Sequence, residues 1–405
     1  MKRELFISIT LILACITFTS CEDEPNGRGT SELKSINLTE GELVVAKQNN
    51  QFAWDMFSHV NAEEGNTIVS PLSATFAMCM TANGANGATR EEIYKAFGFE
   101  NCNSDDVNSY MQKLSTQLMS LDPKTTVAIA NSLWHNKSYN IFDSYISSLE
   151  SNYDAEVKPL GTNAVDDINN WCSKKTNGYI NNLLEPGDVS ELTAFVLANA
   201  LYFNGEWNEK FDKKDTFKGN FYSSDNNTSV VEFMSGDKNI GYKTANTFTM
   251  ASLYFGNKSF IAQFILPNKG KSFKDCINEI KTSGWEEISY KNSITEVTVE
   301  IPKFTLKKRL EMTSLYQQMG ITSAFDRNLA DFSNMSTNLT SISNAYQSNY
   351  FKVDENGATA TSASNVTGGY LANGIPPFIL NRPFIFALTE RSTGAILFIG
   401  KIEKL

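Results

Sequence analysis

The sequence predicts an α+β fold, with helices concentrated early and mostly antiparallel sheets later. Three observations carry this. Apolar residues recur at helical spacing in several segments between residues 42 and 175. Runs of β-branched and aromatic residues dominate from residue 193 onward. Neither an internal repeat nor a low-complexity tract interrupts the chain. Its 405 residues are 41% hydrophobic and 12% aromatic, enough for one large domain or two ordinary ones.

The elements follow in order. Lys2 and Arg3 precede an almost wholly apolar stretch over residues 5–18, too short to span a membrane as a helix. Small Thr19 and Ser20 lead into Cys21, and Glu22, Asp23 and Glu24 follow. This pattern resembles a bacterial lipoprotein signal. It implies cleavage before Cys21, lipidation of Cys21 and a place at the outer membrane or cell surface of a Gram-negative bacterium. A secreted protein cut near Ser20 is the alternative, and Cys15 is a rival lipid site with a shorter apolar core. Residues 1–20 are thus expected to be the signal peptide. Residues 21–41, polar with Pro, Gly, Ser and Asn, read as the lipidated cysteine and a flexible tether. The folded domain is expected over residues 42–405.

Val45, Phe52 and Met56 predict a helix over 42–60. NTIVSPLS (66–73) reads as a short strand entering a helix, with Ser70 at the N-cap and Pro71 in the first helical position. That helix is expected to stop at Gly84. Thr89 and Glu92 have capping-box spacing for another. Further helices are expected near 106–121, 143–152, 163–175, 272–283 and 309–319. Strands are expected at 193–203, 252–267, 294–304, 378–388 and 394–402. The longest basic run, Lys307 to Arg309, reads as a solvated turn.

Several chemistries are excluded. The formal net charge of -10, without a clustered basic face, argues against a nucleic-acid partner. Cys79, Cys102, Cys172 and Cys276 form no CxxC pair, so neither a zinc site nor a thioredoxin-like site is expected, and Cys79 reads as core. His59 and His135 accompany no GxSxG elbow. SELK (31–34), SDN (224–226) and KTSG (281–284) mimic penicillin-binding enzymes. Ser31, however, lies in the tether, and SDN in a polar turn. No Gly-rich phosphate loop and no HExxH occur. The chain is not expected to be an enzyme or to carry a cofactor or metal.

One segment stands out. From Gly357 to Ile375 the chain has no charge and no proline. Composition alone describes a flexible linker. Yet two apolar strands follow it, so it lies inside the fold, and a structureless loop of about twenty residues there tends to be functional.

The motifs NTIVSPLS, NALYFNGEWNEKF (199–211), FILP (264–267), VEIPKF (299–304), LYQQMGITSAF (315–325), ADFSNMS (330–336), VDENGATATSAS (353–364), NRPFIFAL (381–388) and LFIGKI (397–402) occur in an order that resembles the serpins, over residues 42–405. The resemblance implies three mostly antiparallel sheets, about eight or nine helices and an exposed reactive-centre loop, here about residues 355–377. It implies that this loop, once cut, enters the central sheet. Ala358, Ala360, Ser362 and Ser364 would then face one side, and Thr359, Thr361, Ala363 and Asn365 the other. None carries a charge whose burial would be costly.

By the same resemblance the hinge comprises Glu355, Gly357, Ala358, Thr359 and Ala360. Trp207 lies where the loop enters, and Ser70, Ser73, Asn199 and Gln347 lie beneath the sheet centre. Gln347 stands where the family commonly has histidine, and Asn356 and Thr359 where it usually has glutamates. The implied activity is suicide inhibition of a serine protease through a covalent acyl complex. The family spacing counted from Gly357 puts the cut at Leu371–Ala372, after Tyr370; counts from Pro383 or from IPP move it to Ala372–Asn373 or Asn373–Gly374. Leu371 and the absence of basic residues point to elastase-, chymotrypsin- or subtilisin-like targets rather than trypsin-like ones. A non-inhibitory carrier and a cysteine-protease inhibitor are the alternatives. Lys113 is the one basic residue of the helix at 106–121, so heparin-type activation is not expected. A monomer is.

Overall fold

The computed structural model describes residues 32–290, 293–338, 340–357 and 375–405. Among these are nine α-helices and fourteen strands in three sheets.

The helices are α1 Glu40–Val60, α2 Pro71–Gly84, α3 Gly87–Ala96, α4 Ser104–Gln117, α5 Asp143–Tyr153, α6 Ala164–Lys175, α7 Phe273–Ser283, α8 Trp285–Tyr290 and α9 Thr313–Gln318. The strands are β1 Thr67–Val69, β2 Thr125–His135, β3 Ala155–Pro159, β4 Phe195–Gly205, β5 Phe217–Tyr222, β6 Thr228–Thr244, β7 Phe248–Phe255, β8 Phe260–Pro267, β9 Ser293–Pro302, β10 Phe304–Glu311, β11 Tyr346–Val353, β12 Phe378–Ile379, β13 Phe384–Glu390 and β14 Ile396–Ile402. Nine strands join one sheet, ordered β1-β14-β13-β8-β7-β6-β9-β12 with β5 beside β6. A second sheet is β3-β2-β4 and a third is β10-β11.

Local chemistry explains several starts. The Thr39 side chain accepts from the Glu42 backbone N–H, and the Glu42 carboxylate reaches back to the Thr39 N–H, so α1 opens on a capping box. Ser70 Oγ accepts from the Ser73 N–H at 3.1 Å, and Pro71 opens α2 as expected. Nearly all of α2 is buried, so it is a helix inside the protein rather than an amphipathic one.

Other expectations are corrected. Thr89 and Glu92 do not cap α3. Asn86 stands at the N-cap, Thr89 is buried within the helix and accepts from the Asp331 N–H, and Glu92 accepts from Thr322 and Ser323. Partners distant in sequence take these groups. The stretch 252–267 is not one strand but the hairpin β7–β8, turned at Gly256–Ser259. The stretch 294–304 spans two sheets, because the chain passes at Lys303 from β9 to β10. The helix expected from 309 starts only at Thr313, since Arg309 to Glu311 continue β10. Lys307 to Arg309 therefore lie in a strand, not a turn. Residues 32–39, read as tether, run against the body. Ile36 is buried, its N–H donates to Ser392 Oγ at 2.8 Å, and Asn257 Nδ2 donates to the Glu32 carbonyl at 3.0 Å.

The four cysteines among the described residues are free. No described helix is long and apolar enough to cross a membrane.

Candidate functional site

The second and third sheets meet without a ladder. β4 pairs with β2 on one side, β11 pairs with β10 on the other, and β4 and β11 lie side by side between them. Both strands end at the same pole, where the Trp207 N–H donates to the Asn356 carbonyl at 3.1 Å. They are therefore parallel. A segment that reversed after residue 357 and ran between them would be antiparallel to both, the more stable ladder geometry per residue.

Period-two alternation sorts the seam's two faces. On the inner face Asn199 of β4 and Gln347 of β11 point toward the start of α2. On the outer face Ala198, Ala200 and Tyr202 of β4, with Tyr346 and Tyr350 of β11, point toward α6 and the chain that follows it.

The inner face is neutral and fully paired. Gln347 Oε1 accepts from the Ser70 N–H at 2.9 Å, and its Nε2 donates to the Ser70 carbonyl at 2.8 Å. Asn349 Nδ2 donates to the same Oε1 at 3.0 Å. Across the seam, Ser73 Oγ donates to Asn199 Oδ1, and Asn199 Nδ2 donates to Asn131 Oδ1 at 2.6 Å. The two networks meet through α2, whose Ser70 serves β11 and whose Ser73 serves β4. Ser70, Ser73, Asn199 and Gln347 are thus brought together at the start of α2. Asn131 and Asn349 complete the cluster, and no motif marked them.

The mouth of the seam is built differently. Trp207 is buried and stacks on Phe255 with centroids 4.4 Å apart, and its Nε1 donates to the Asp354 carbonyl at 2.8 Å. The Phe211 N–H donates to the Glu355 carbonyl at 3.2 Å. Glu355 Oε1 accepts from Thr216 Oγ1 at 2.9 Å and lies 3.1 Å from Lys303 Nζ, which also holds Glu232 at 2.9 Å.

Burial pushes the Glu355 carboxyl up, but its backbone bond, the Thr216 hydroxyl and Lys303 outweigh that and hold it below the usual range. Bonding to Glu232, against partial burial and with help from Glu355, holds the Lys303 ammonium above its usual range. Lys303, Thr216 and Phe211 were not singled out from the sequence. Lys303 sits inside the VEIPKF motif, yet nothing local names its acidic partner.

Gly357 closes this corner. Its φ is +88°, and a Cβ added there would lie 2.3 Å from the Gly205 carbonyl oxygen and 2.5 Å from the Trp207 nitrogen. Only glycine takes both the left-handed backbone and the contact without strain. Ala358, Thr359, Ala360, Tyr370, Leu371, Ala372, Asn373 and Cys21 lie outside the described residues.

Two split half-sheets, a parallel pair with an unpaired line between them and a reversing glycine at the mouth are the architecture on which comparison with known proteins can be placed. The family model described as "Serpin (serine protease inhibitor)" matches residues 47–405. The chain belongs to the serpin family. A serpin-like protein of Methanosarcina acetivorans is 28% identical over all of this chain and 96% of its own length. Serpin B6 of Pongo abelii is 30% identical over 89% of this chain and 99% of its own. Among solved structures, the thermophilic serpin tengpin in its native state aligns with TM-score 0.83 and 27% identity, covering 93% of this chain and 97% of that one. The fold of this chain is thus the serpin fold. Members of the family are typically protease inhibitors rather than catalysts. His59 and His135 of this serpin bond backbone carbonyls, of Asp55 and Asn136. Among the described residues no cluster of side chains could hold a metal ion.

Proposed function

We propose that this serpin is a suicide-substrate inhibitor of serine proteases with apolar primary specificity. The observation that carries the reading is Gly357, turned back at the mouth of the unpaired β4–β11 line and followed in sequence by small, uncharged residues. The protease's serine oxygen attacks the carbonyl carbon of Leu371 and forms an ester. The Leu371–Ala372 C–N bond breaks, and the new amine of Ala372 leaves with a proton supplied by the protease's histidine. The freed strand then zips between β4 and β11, carrying the acylated protease with it. An inserted strand of about ten residues adds roughly ten backbone hydrogen bonds of about 1 kcal/mol each. That is comparable to the whole stability of an ordinary domain, so the uninserted form is a kinetic trap.

Residues 1–20 serve as signal peptide in this reading, Cys21 is lipidated, and the inhibitor works as a monomer at the cell surface, where its partner is an incoming protease.

The test uses chain starting after Cys21, mixed in turn with chymotrypsin, elastase, subtilisin and trypsin. The expected result is an SDS-stable complex with one of the first three and a released peptide beginning at Ala372. A peptide beginning at Asn373 or Gly374 moves the reactive bond. Trapping of papain-like enzymes alone would make this a cysteine-protease inhibitor. Cleavage by every protease with no complex overturns inhibition in favour of a carrier. For the anchor, expression of the whole chain with labelled palmitate should label wild type and not Cys21→Ser.

A further inference from the structure

The surface around Glu32 is basic, in a chain whose net charge is -10. Four segments meet there. Asn257 Nδ2, in the β7–β8 turn, donates to the Glu32 carbonyl at 3.0 Å and to the Leu121 carbonyl at 2.8 Å. Ser259 Oγ donates to the Lys34 carbonyl at 3.3 Å, and the Ser259 carbonyl accepts from the Arg391 N–H at 2.8 Å. The Lys34 ammonium donates to the Ser120 carbonyl at 3.1 Å, next to Met119. Residues 32–36, the chain between α4 and β2, the β7–β8 turn and the β13–β14 turn thus share one surface.

Four cations lie on it, each from a different segment, so no run in the sequence marks them. Lys34, Lys124 and Lys258 are exposed and Arg391 is half-buried. Lys258 Nζ lies 5.8 Å and the Arg391 guanidinium 5.6 Å from the centroid of the same Tyr254 ring. Among the described residues no carboxylate pairs with any of the four. The nearby acids are engaged elsewhere. Asp122 is buried and accepts from the Lys124 and Asn257 N–H groups, and Glu390 is buried and accepts from Ser392 and Thr393. Glu206 pairs with Lys210 at 3.0 Å. Glu32 is exposed, which still leaves the surface net positive. Leu33 and Met119 stand exposed among the cations.

A soluble anion would use the charges and gain nothing from Leu33 and Met119. A bilayer of anionic lipid uses both, through its headgroups and the acyl boundary beneath them. We propose that this surface seats the protein on an anionic lipid membrane. This rests on the cell-surface anchor read above. The eleven residues from Cys21 to Ser31 can span at most about 40 Å, so an anchor at Cys21 keeps the surface within reach of lipid. The mouth of the seam comes with it, because the Tyr254 carbonyl accepts from the Asn208 N–H at 2.8 Å and Phe255 stacks on Trp207. Seated so, the protein presents its hinge beside the membrane and meets proteases that work close to it.

The test uses chain starting after Cys21, which carries no lipid. It is sedimented with vesicles of phosphatidylcholine, alone or mixed with phosphatidylglycerol, at low salt. Wild type is expected to sediment with the anionic vesicles and not with the neutral ones, and less so as salt is raised. Lys124→Gln combined with Lys258→Gln should weaken binding roughly thirtyfold, equivalent to about 2 kcal/mol. Leu33→Ser combined with Met119→Ser should weaken it without changing its salt dependence. Lys269→Gln combined with Lys271→Gln is the control. It makes the same change in net charge beyond the far end of β8, about 26 Å away, and should leave binding within about twofold because salt screens charges at that distance.

Equal sedimentation with neutral and anionic vesicles, or an equal loss in the control pair, would overturn the inference. So would retention on a heparin column without vesicle binding, which would make a sugar polyanion the occupant. The anchor is checked separately by the palmitate label. An unlabelled Cys21 would sink that reading and leave the vesicle result standing.

Discussion

The mouth of the seam and its middle are held closed in different ways. At the mouth, Trp207 ties the end of β11 to the end of β4 through bonds to Asp354 and Asn356, and Thr216 before β5 and Lys303 on the β9–β10 crossing hold the buried Glu355 carboxylate. In the middle, neutral amides and hydroxyls meet through the start of α2, and no charge takes part. The difference teaches where opening must begin. Parting β4 from β11 strains the α2 bonds, since Ser70 holds β11 and Ser73 holds β4, but a new strand cannot even pass Gly357 while residues 354–356 are bonded across the top. The mouth is the latch, and the middle is the bearing on which the halves part.

Four changes break or sharpen this contrast. The largest effect is expected for Trp207→Ala, which removes a buried ring and a hydrogen bond and should cost the native form about 3–5 kcal/mol. Thermal unfolding of the intact protein measures it, and the loop-cut form should lose less, since the latch is then already released. Equal losses in both forms would mean that Trp207 is plain core.

Next is Gly357→Ala. Left-handed strain of about 1–2 kcal/mol adds to overpacking of about 1–3 kcal/mol against the Gly205 carbonyl. Denaturant midpoints should fall accordingly, and an unchanged midpoint would show that the corner relaxes freely.

Gln347→Ala takes the Gln347 acceptor from the Ser70 N–H and leaves the Ser70 carbonyl with the Ala74 N–H alone, at about 1–3 kcal/mol. Gln347→His should restore the bonds and introduce a titration near pH 6.5 into the opening rate, whereas wild type should be flat there. A rate in Gln347→His that does not move with pH would place the side chain outside the bearing.

The smallest effect concerns Glu355. Its carboxyl is held below the usual range, so the native form binds fewer protons than the unfolded chain. The stability it contributes is complete above about pH 4.3 and fades as pH falls through its lowered native value. Glu355→Gln should flatten that part of the acid limb, by less than about 1 kcal/mol because Lys303 is partly exposed. An identical acid limb in the variant would remove Glu355 from the latch.

Much of this was legible without coordinates. Ser70 and Pro71 announced the start of α2 through short-range cap chemistry. The charge-free run after Gly357, between apolar strands, marked a loop that a linker's role does not explain. The long central strand β2 was missed, because Thr125 to His135 mixes small, polar and apolar residues buried on both faces and shows no alternation. β6 was missed for the opposite reason, since its seventeen residues serve three neighbours, β5, β9 and β7, and its burial changes along its length. The capping reading of Thr89 and Glu92 failed because Asp331, Thr322 and Ser323, more than 200 residues away, claimed both groups.

By itself, then, the sequence determined the start of α2, the order of the motifs, the family and the glycine where the chain turns back, because caps, apolar periodicity and backbone freedom act within a few residues. Only the tertiary structure decided that β4 and β11 face each other unpaired, that Lys303 meets Glu355 and that Lys34, Lys124, Lys258 and Arg391 share one surface. Those depend on which surfaces the packed helices and sheets bring together, and no spacing along the chain encodes a contact between residues 32 and 257.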